Sequence, residues 1–256
     1  QHVKVVLGGD GGDELFAGYK RYDKHRRSAW RRGLRLPLPA LASHTKSAKL
    51  LDELRLDWLS SYALRFSGMP PALRRFLQPA LASVPAVYWD RMPADTTDPL
   101  RALLETDMHN YLPEYILRKG DLCTMAHGLE LRVPLLDHRL YQSVLALSDE
   151  KRFTRPRKLA LGAVCDVCRE SKLFDAAKRG FNPPVAQWLR HELRARLDGL
   201  GARLAQSTQN QLDGARVQQL VNGFIAGNDA RAEQVLQLLI LDTSLAQLLH
   251  GPHRVH

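Results

Sequence analysis

Seven consecutive residues, Gly8-Gly9-Asp10-Gly11-Gly12-Asp13-Glu14, carry the densest chemistry in the chain. Glycine lets a backbone approach phosphate closely. Three carboxylates with no lysine among them would repel phosphate. The combination makes sense if the acids hold Mg²⁺, which takes one or two carboxylates and completes its shell with substrate oxygens. The same residues also read as a tight turn whose acids favour a helix N-terminus.

The elements around this loop set what it can do. Val3-Lys4-Val5-Val6-Leu7 reads as one short, largely buried strand. Leu15-Phe16-Ala17-Gly18-Tyr19 starts a helix. Strand, glycine turn and helix is the arrangement by which open α/β sheets bind nucleotides at the carboxyl ends of strands. No other segment reads as a strand, and one strand cannot make a sheet. Its partners are therefore expected from outside these residues, leaving Val5, Leu7 and Phe16 partly exposed or covered by a second copy of the chain.

The remainder reads as helices punctuated by proline and glycine. Pro37, Pro39 and Pro70-Pro71 mark breaks. Helices are expected over 100–117, 120–125, 139–147 and 157–170, with a loop at Gly180-Phe181-Asn182-Pro183-Pro184. Two or three amphipathic helices follow Leu193, split near Gly214 and Gly227-Asn228.

At 256 residues and 45% hydrophobic, the chain can build a sizeable core. No apolar run approaches a membrane span, and no signal peptide is visible. Three cysteines, Cys123, Cys165 and Cys168, suit a reducing cytoplasm. The C-x-x-C pair lacks the second pair that zinc would need, so it reads as plain thiols. A net charge of +10 raises nucleic acid as a partner. The arginines are spread along helices, however, with no aromatic or zinc-finger pattern among them. A solvated basic face, or a lining for anionic ATP and pyrophosphate, is the preferred reading.

Val5-Val6-Leu7-Gly8-Gly9-Asp10-Gly11-Gly12-Asp13-Glu14-Leu15-Phe16-Ala17-Gly18-Tyr19 resembles the V-V-L-S-G-[DE]-G-[GS]-D-E-L-F-G-G-Y segment of the asparagine synthetases. Three later segments agree in order. Tyr111-Leu112-Pro113 through Lys119, Asp121 and Met125-Ala126 resembles Y-L-P … K-x-D-R-x-S-M-A. Arg132-Val133-Pro134-Leu135-Leu136-Asp137-His138 resembles R-V-P-F-L-D-H. Lys178-Arg179-Gly180-Phe181 with Pro184 and Trp188-Leu189 resembles K-R-G-F-x-x-P-x-x-x-W-L. The resemblance spans Val3 to about Arg190.

The resemblance implies a mainly α-helical fragment of an α/β adenine-nucleotide alpha hydrolase-like domain, with one short N-terminal strand. Residues 1–190 would be the C-terminal part of the synthetase domain, and 191–256 a helical C-terminal extension. Such enzymes adenylate a carboxylate with ATP and Mg²⁺, then amidate it with ammonia that a separate domain releases from glutamine. By position, Gly8 and Gly9 would lie against ATP or the acyl-adenylate. Asp10 would be catalytic, aiding intermediate formation and taking the proton of the incoming amine. Asp13 would be a Mg²⁺ ligand, with Glu14 supporting it. Lys158 would be catalytic, stabilising charge at the pyrophosphate; without the resemblance it is one residue of a basic helix start, beside Arg155 and Arg157. Arg132 and Asp137 would orient substrate or lock their turn as an ion pair. His127, His138, Lys119 and Asp121 read as structural.

The departures are Gly8 for Ser, Ala17 for Gly and Leu122 for Arg. Leu122 removes a charge near the expected nucleotide, which would fit a different acceptor. The family's S-G-G-x-D-S loop has no counterpart in these residues. The chain alone is therefore expected to lack ligase activity and to need the N-terminal part of the same polypeptide. Free aspartate is the leading acceptor. The alternatives are a polysaccharide or natural-product carboxylate, or a non-catalytic helical interaction module.

Overall fold

The computed structural model describes residues 3–31, 36–38, 46–79, 89, 98–154, 158, 160–161 and 183–250. The chain divides into two compact units, Gln1–Leu34 with Trp89–Arg179, and Arg35–Tyr88 with Gly180–His256. Helix dominates both. Cys165, Cys168, Arg155, Arg157, Lys178 and most of the helix expected over 157–170 lie outside the described residues.

In the first unit, β1 (Val5–Leu7) opens the fold and α1 (Gly12–Leu15) and α2 (Lys20–Arg26) follow. The expected strand is present, but it has a partner in the same chain. β2 (Glu130–Arg132) runs parallel to it, pairing Val5 with Glu130, Val6 with Leu131 and Leu7 with Arg132. The expectation of a single strand is corrected here. Glu-Leu-Arg has little strand propensity of its own, and pairing with β1 defines it. Among the described residues the sheet has two strands, and Val3, Val5 and Leu7 are exposed, Leu7 at 74%. Phe16, expected to be partly exposed, is buried with Leu15 and Val144. The expected start of a helix at Leu15 is also shifted, because α1 begins at Gly12 and ends there.

The helices expected over 100–117 and 120–125 form one run. α6 (Pro99–Thr106) starts on an Asp98 cap, which accepts from Arg101 N at 2.7 Å, with proline in the first turn. A π-helical stretch, Asp107–Leu117, joins it to α7 (Arg118–Met125) through junction residues in helical conformation. Pro113 lies inside this stretch, where the wider register replaces the i→i−4 bonds that a proline removes. α8 (His138–Leu145) and α9 (Asp149–Arg152) follow.

The second unit has helices joined by turns, and no strand, among its described residues. α3 (Lys46–Arg55), α4 (Trp58–Ala63) and α5 (Pro71–Leu77) precede α10 (Val185–Arg190), α11 (Leu200–Ser207), α12 (Gly214–Ile225) and α13 (Ala232–His250). Leu73 and Leu77 of α5 share one core with Leu189, Leu200, Leu204, Val217, Phe224 and Val235. The C-terminal helices are thus packed on the earlier segment. α11 and α12 cross where Gly201 meets Gly214: a Cβ on Gly201 would lie 2.2 Å from the Gly214 carbonyl oxygen. Among the described residues no helix is long and apolar enough to cross a membrane.

Candidate functional site

The acidic loop leaves the end of β1 under tight constraint. The ladder continues past the strand, with Gly8 N donating to Arg132 O at 2.8 Å. A Cβ on Gly8 would come 3.0 Å from Leu131 Cδ1 and 3.4 Å from Asp10 Oδ2. Gly11 then turns left-handed (φ 87°) to start α1, and a Cβ there would collide with Leu136. A side chain on Gly9 would meet nothing. The loop is therefore closed at Gly8 and Gly11 and open at Gly9.

α1 is a single turn with Asp13 and Glu14 at its start. Gly18 N donates to Asp13 O at 2.8 Å, closing a Schellman-type cap with Ala17 in the left-handed position (φ 51°). Glycine normally takes that position, because a Cβ there is strained. Ala17→Gly should stabilise the protein by up to about 1 kcal/mol, less what the lost methyl contributes. Urea unfolding reads this as a raised midpoint; an unchanged or lowered midpoint contradicts it.

This hairpin of chain delivers Asp13 to Lys158. Asp13 Oδ1 and Lys158 Nζ stand 2.7 Å apart, with about a fifth of each side chain exposed. Lys158 also has a left-handed backbone (φ 64°), the kind of local strain that a surrounding structure must hold in place. Asp10 is turned elsewhere. Its carboxylate lies near Gly8 and near Gly120 of α7, where an added Cβ would be 3.9 Å from Asp10 Oδ2.

Behind Asp13 lies a buried polar network. Glu14 is 1% exposed and accepts from Tyr19 Oη at 2.9 Å. Burial pushes its carboxyl above the usual carboxylate range, and the Tyr19 hydrogen bond only partly opposes this. Burial and the adjacent Glu14 push the Tyr19 hydroxyl well above its ordinary value. The Arg21 guanidinium covers the Tyr19 ring at 3.5 Å and the Tyr111 ring at 4.6 Å. It pairs with the fully buried Asp107 at 2.6 Å, and Tyr22 Oη donates to the same carboxylate at 2.7 Å. Arg152 Nε donates to Leu15 O at 2.7 Å, satisfying an end carbonyl of α1. Sequence reasoning did not single out Arg21, Tyr22, Asp107 or Arg152. Tyr19 and Gly18 stood in the quoted motif without a role. Arg21 and Asp107 lie 86 positions apart, so no local pattern announces them.

Arg132 and Asp137 do not pair with each other. Arg132 Nε bonds Glu130 Oε1 at 2.8 Å on an exposed surface. Asp137 caps α8, accepting from Arg139 N at 3.0 Å and Arg139 Nε at 3.2 Å. The expected ion pair across their turn is replaced by two local ones, each spanning two positions. The Arg139 side chain and backbone hold the Asp137 carboxyl down at about 2, against an ordinary 3.8. Its stabilising contribution is therefore complete above about pH 4 and is lost as pH falls towards 2. Asp137→Asn should flatten the fall of the melting temperature across that window. Identical slopes in variant and parent would show that Asp137 contributes nothing there.

Asp13 fits Mg²⁺ as one carboxylate ligand, the number the ion commonly takes from protein when phosphate oxygens supply the rest. Among the described residues no three His, Cys, Asp or Glu gather into a metal cage. The arrangement can hold an anion–cation pair beside a glycine loop at a strand end, a geometry suited to phosphate chemistry.

A protein of Mycobacterium tuberculosis, provisionally named asparagine synthetase (glutamine-hydrolyzing), is 31% identical over 209 residues, covering 74% of this chain and 31% of that protein. Its Mycobacterium bovis counterpart matches equally. Asparagine synthetase (glutamine-hydrolyzing) 1 of Bacillus subtilis is 26% identical over 208 residues, covering 75% of this chain and 33% of that one. The chain thus matches about a third of the length of these curated relatives. No solved structure matches it. The sequence model of the asparagine synthase family matches residues 1–249, and the chain belongs to that family.

Proposed function

We propose that this chain is the C-terminal part of the synthetase domain of an ATP-dependent amide ligase. It adenylates a carboxylate, with free aspartate the first candidate, and amidates it with glutamine-derived ammonia to give asparagine, AMP and pyrophosphate. The observation that carries the reading is the Asp13–Lys158 pair at 2.7 Å, formed beside the glycine loop by two residues far apart in sequence. Family membership supplies the chemical context.

In this reading Asp13 holds Mg²⁺, which when bound neutralises the departing pyrophosphate. Lys158 transfers its ammonium contact from Asp13 to phosphate oxygens as charge develops there. Asp10, turned away from that pair, is left to accept the proton of the attacking amine. Glu14 is too buried to reach a ligand and holds the loop through Tyr19. Gly9, the open glycine, gives nucleotide access to the backbone. The finer fold, an α/β adenine-nucleotide alpha hydrolase-like domain, needs further strands beside β1. The exposed Val3, Val5 and Leu7, with Leu122 and Met125 of α7, are the apolar surface for them, supplied by the N-terminal part of the same polypeptide.

The test is pyrophosphate release from Mg-ATP by the full-length protein. Release that requires aspartate, with asparagine formed from ammonia, supports the proposal; ATP turnover indifferent to aspartate overturns the aspartate assignment. Leu122, 61% exposed at a place where the family motif it resembles has Arg, favours one second reading. The acceptor is then a polysaccharide or natural-product carboxylate that makes no ion pair at that position.

A further inference from the structure

Gly18 carries no conformational demand of its own. The left-handed glycines among the described residues are Gly11, Gly128, Gly199 and Gly227, and Gly18 is not one of them. Its φ is not the obstacle to alanine. Its surroundings are. A Cβ at position 18 would lie 1.8 Å from Asp13 Oδ1, 2.8 Å from Asp13 Cγ and 2.4 Å from Lys158 Cε. The atoms it would meet are those of the Asp13–Lys158 pair.

Neither side can give way easily. Gly18 N is tied to Asp13 O at 2.8 Å, so backing residue 18 away from Asp13 breaks the cap of α1. The next residue, Tyr19, is held at both ends, by its hydroxyl on Glu14 and by Arg21 over its ring. Asp13 has a short side chain with two torsions, so rotating its carboxylate out of reach of a new methyl moves it off Lys158. Lys158 can swing its ammonium aside, but only by leaving Asp13.

We infer that Gly18 is a positioning residue whose missing side chain is the space in which Asp13 and Lys158 close on one another. Any side chain at position 18 separates the pair while leaving both charged groups in the protein. This rests on the roles proposed above for Asp13 and Lys158 only where turnover is concerned; the geometry is tested without turnover.

The experiment is acylation of the intact folded protein with acetic anhydride, followed residue by residue by mass spectrometry. In the parent, the part-buried, paired Lys158 should react several-fold more slowly than exposed Lys151. Gly18→Ala should remove that protection, as should Asp13→Asn. Gly223→Ala, on α12 where an added Cβ meets nothing, should change neither labelling nor turnover. If Gly18→Ala folds and Lys158 stays protected, the inference is overturned. If Gly18→Ala does not fold, the triple variant Gly18→Ala/Asp13→Ala/Lys158→Ala decides. It lacks all three atoms the new methyl would meet, so it should recover the melting temperature of Asp13→Ala/Lys158→Ala, and failure to recover overturns the inference. In the full-length enzyme, Gly18→Ala should lower pyrophosphate release by about 10²-fold, the scale of a lost charge stabiliser, yet add little in a Lys158→Ala background. A parent without pyrophosphate release would remove the proposed function and leave the labelling result standing.

Discussion

Asp13→Ala is expected to abolish pyrophosphate formation by the full-length enzyme. Two losses coincide at this residue. The first is a carboxylate beside the glycine loop that fits Mg²⁺ and pairs with Lys158. The second is the partner of an ammonium that is about three-quarters buried, which would then stand uncompensated and turn away from the site. Removing a ligand that neutralises a leaving group, together with the anchor of the nearest cation, should exceed the roughly 10²–10³-fold cost of one electrostatic donor. Aspartate-dependent pyrophosphate release is the readout. Asp13→Asn separates charge from shape, because it keeps the volume and loses the metal. Turnover within about tenfold of the parent in Asp13→Ala would remove Asp13 from the metal role and leave it as a helix-start acid.

Lys158→Ala is expected to lower turnover by about 10²-fold or more, with a smaller change in the ATP concentration needed for half-maximal rate. The argument is differential. The ammonium is engaged by Asp13, so on the proposed function its contact with phosphate would grow as negative charge builds on the departing group. An interaction of that kind lowers kcat more than it alters ground-state binding. The strained backbone at Lys158 (φ 64°) makes a purely structural lysine harder to justify, since a surface basic residue could adopt an ordinary conformation. Near-normal turnover in Lys158→Ala would return this residue to a basic helix start.

The acidic loop, the strand before it and the proline and glycine breaks between helices were legible because each rests on local chemistry. Val-Val-Leu is a strand by residue type, and Pro70-Pro71 marks a break by the restriction proline imposes. β2 was not legible. Glu130-Leu131-Arg132 has charged ends and one apolar residue, and only the hydrogen bonds offered by β1 make it extended. Phe16 was misjudged for a related reason: its burial comes from Leu15 and Val144 within its own unit, so it does not need the absent sheet. The site divides along the same line. Asp13 and Lys158 were each singled out, but that they touch is a tertiary fact. Arg21, Tyr22 and Asp107, which support the loop from behind, are joined over a separation that no periodicity encodes.

The β1–β2 pairing has a consequence for how the protein is made. β1 precedes its partner in the chain by a long stretch, part of which, Arg35–Tyr88, belongs to the other compact unit. At roughly 5–20 residues per second, the ribosome needs on the order of ten seconds to supply β2. Through that interval the side of β1 that β2 will occupy is without its ladder, the kind of template that recruits foreign strands. Closing a loop of order 10² residues then costs about 4 kcal/mol of chain entropy, set against one short three-residue ladder. The acidic loop hangs from that ladder, so the newborn chain acquires its chemistry last, after the helices that can form by themselves.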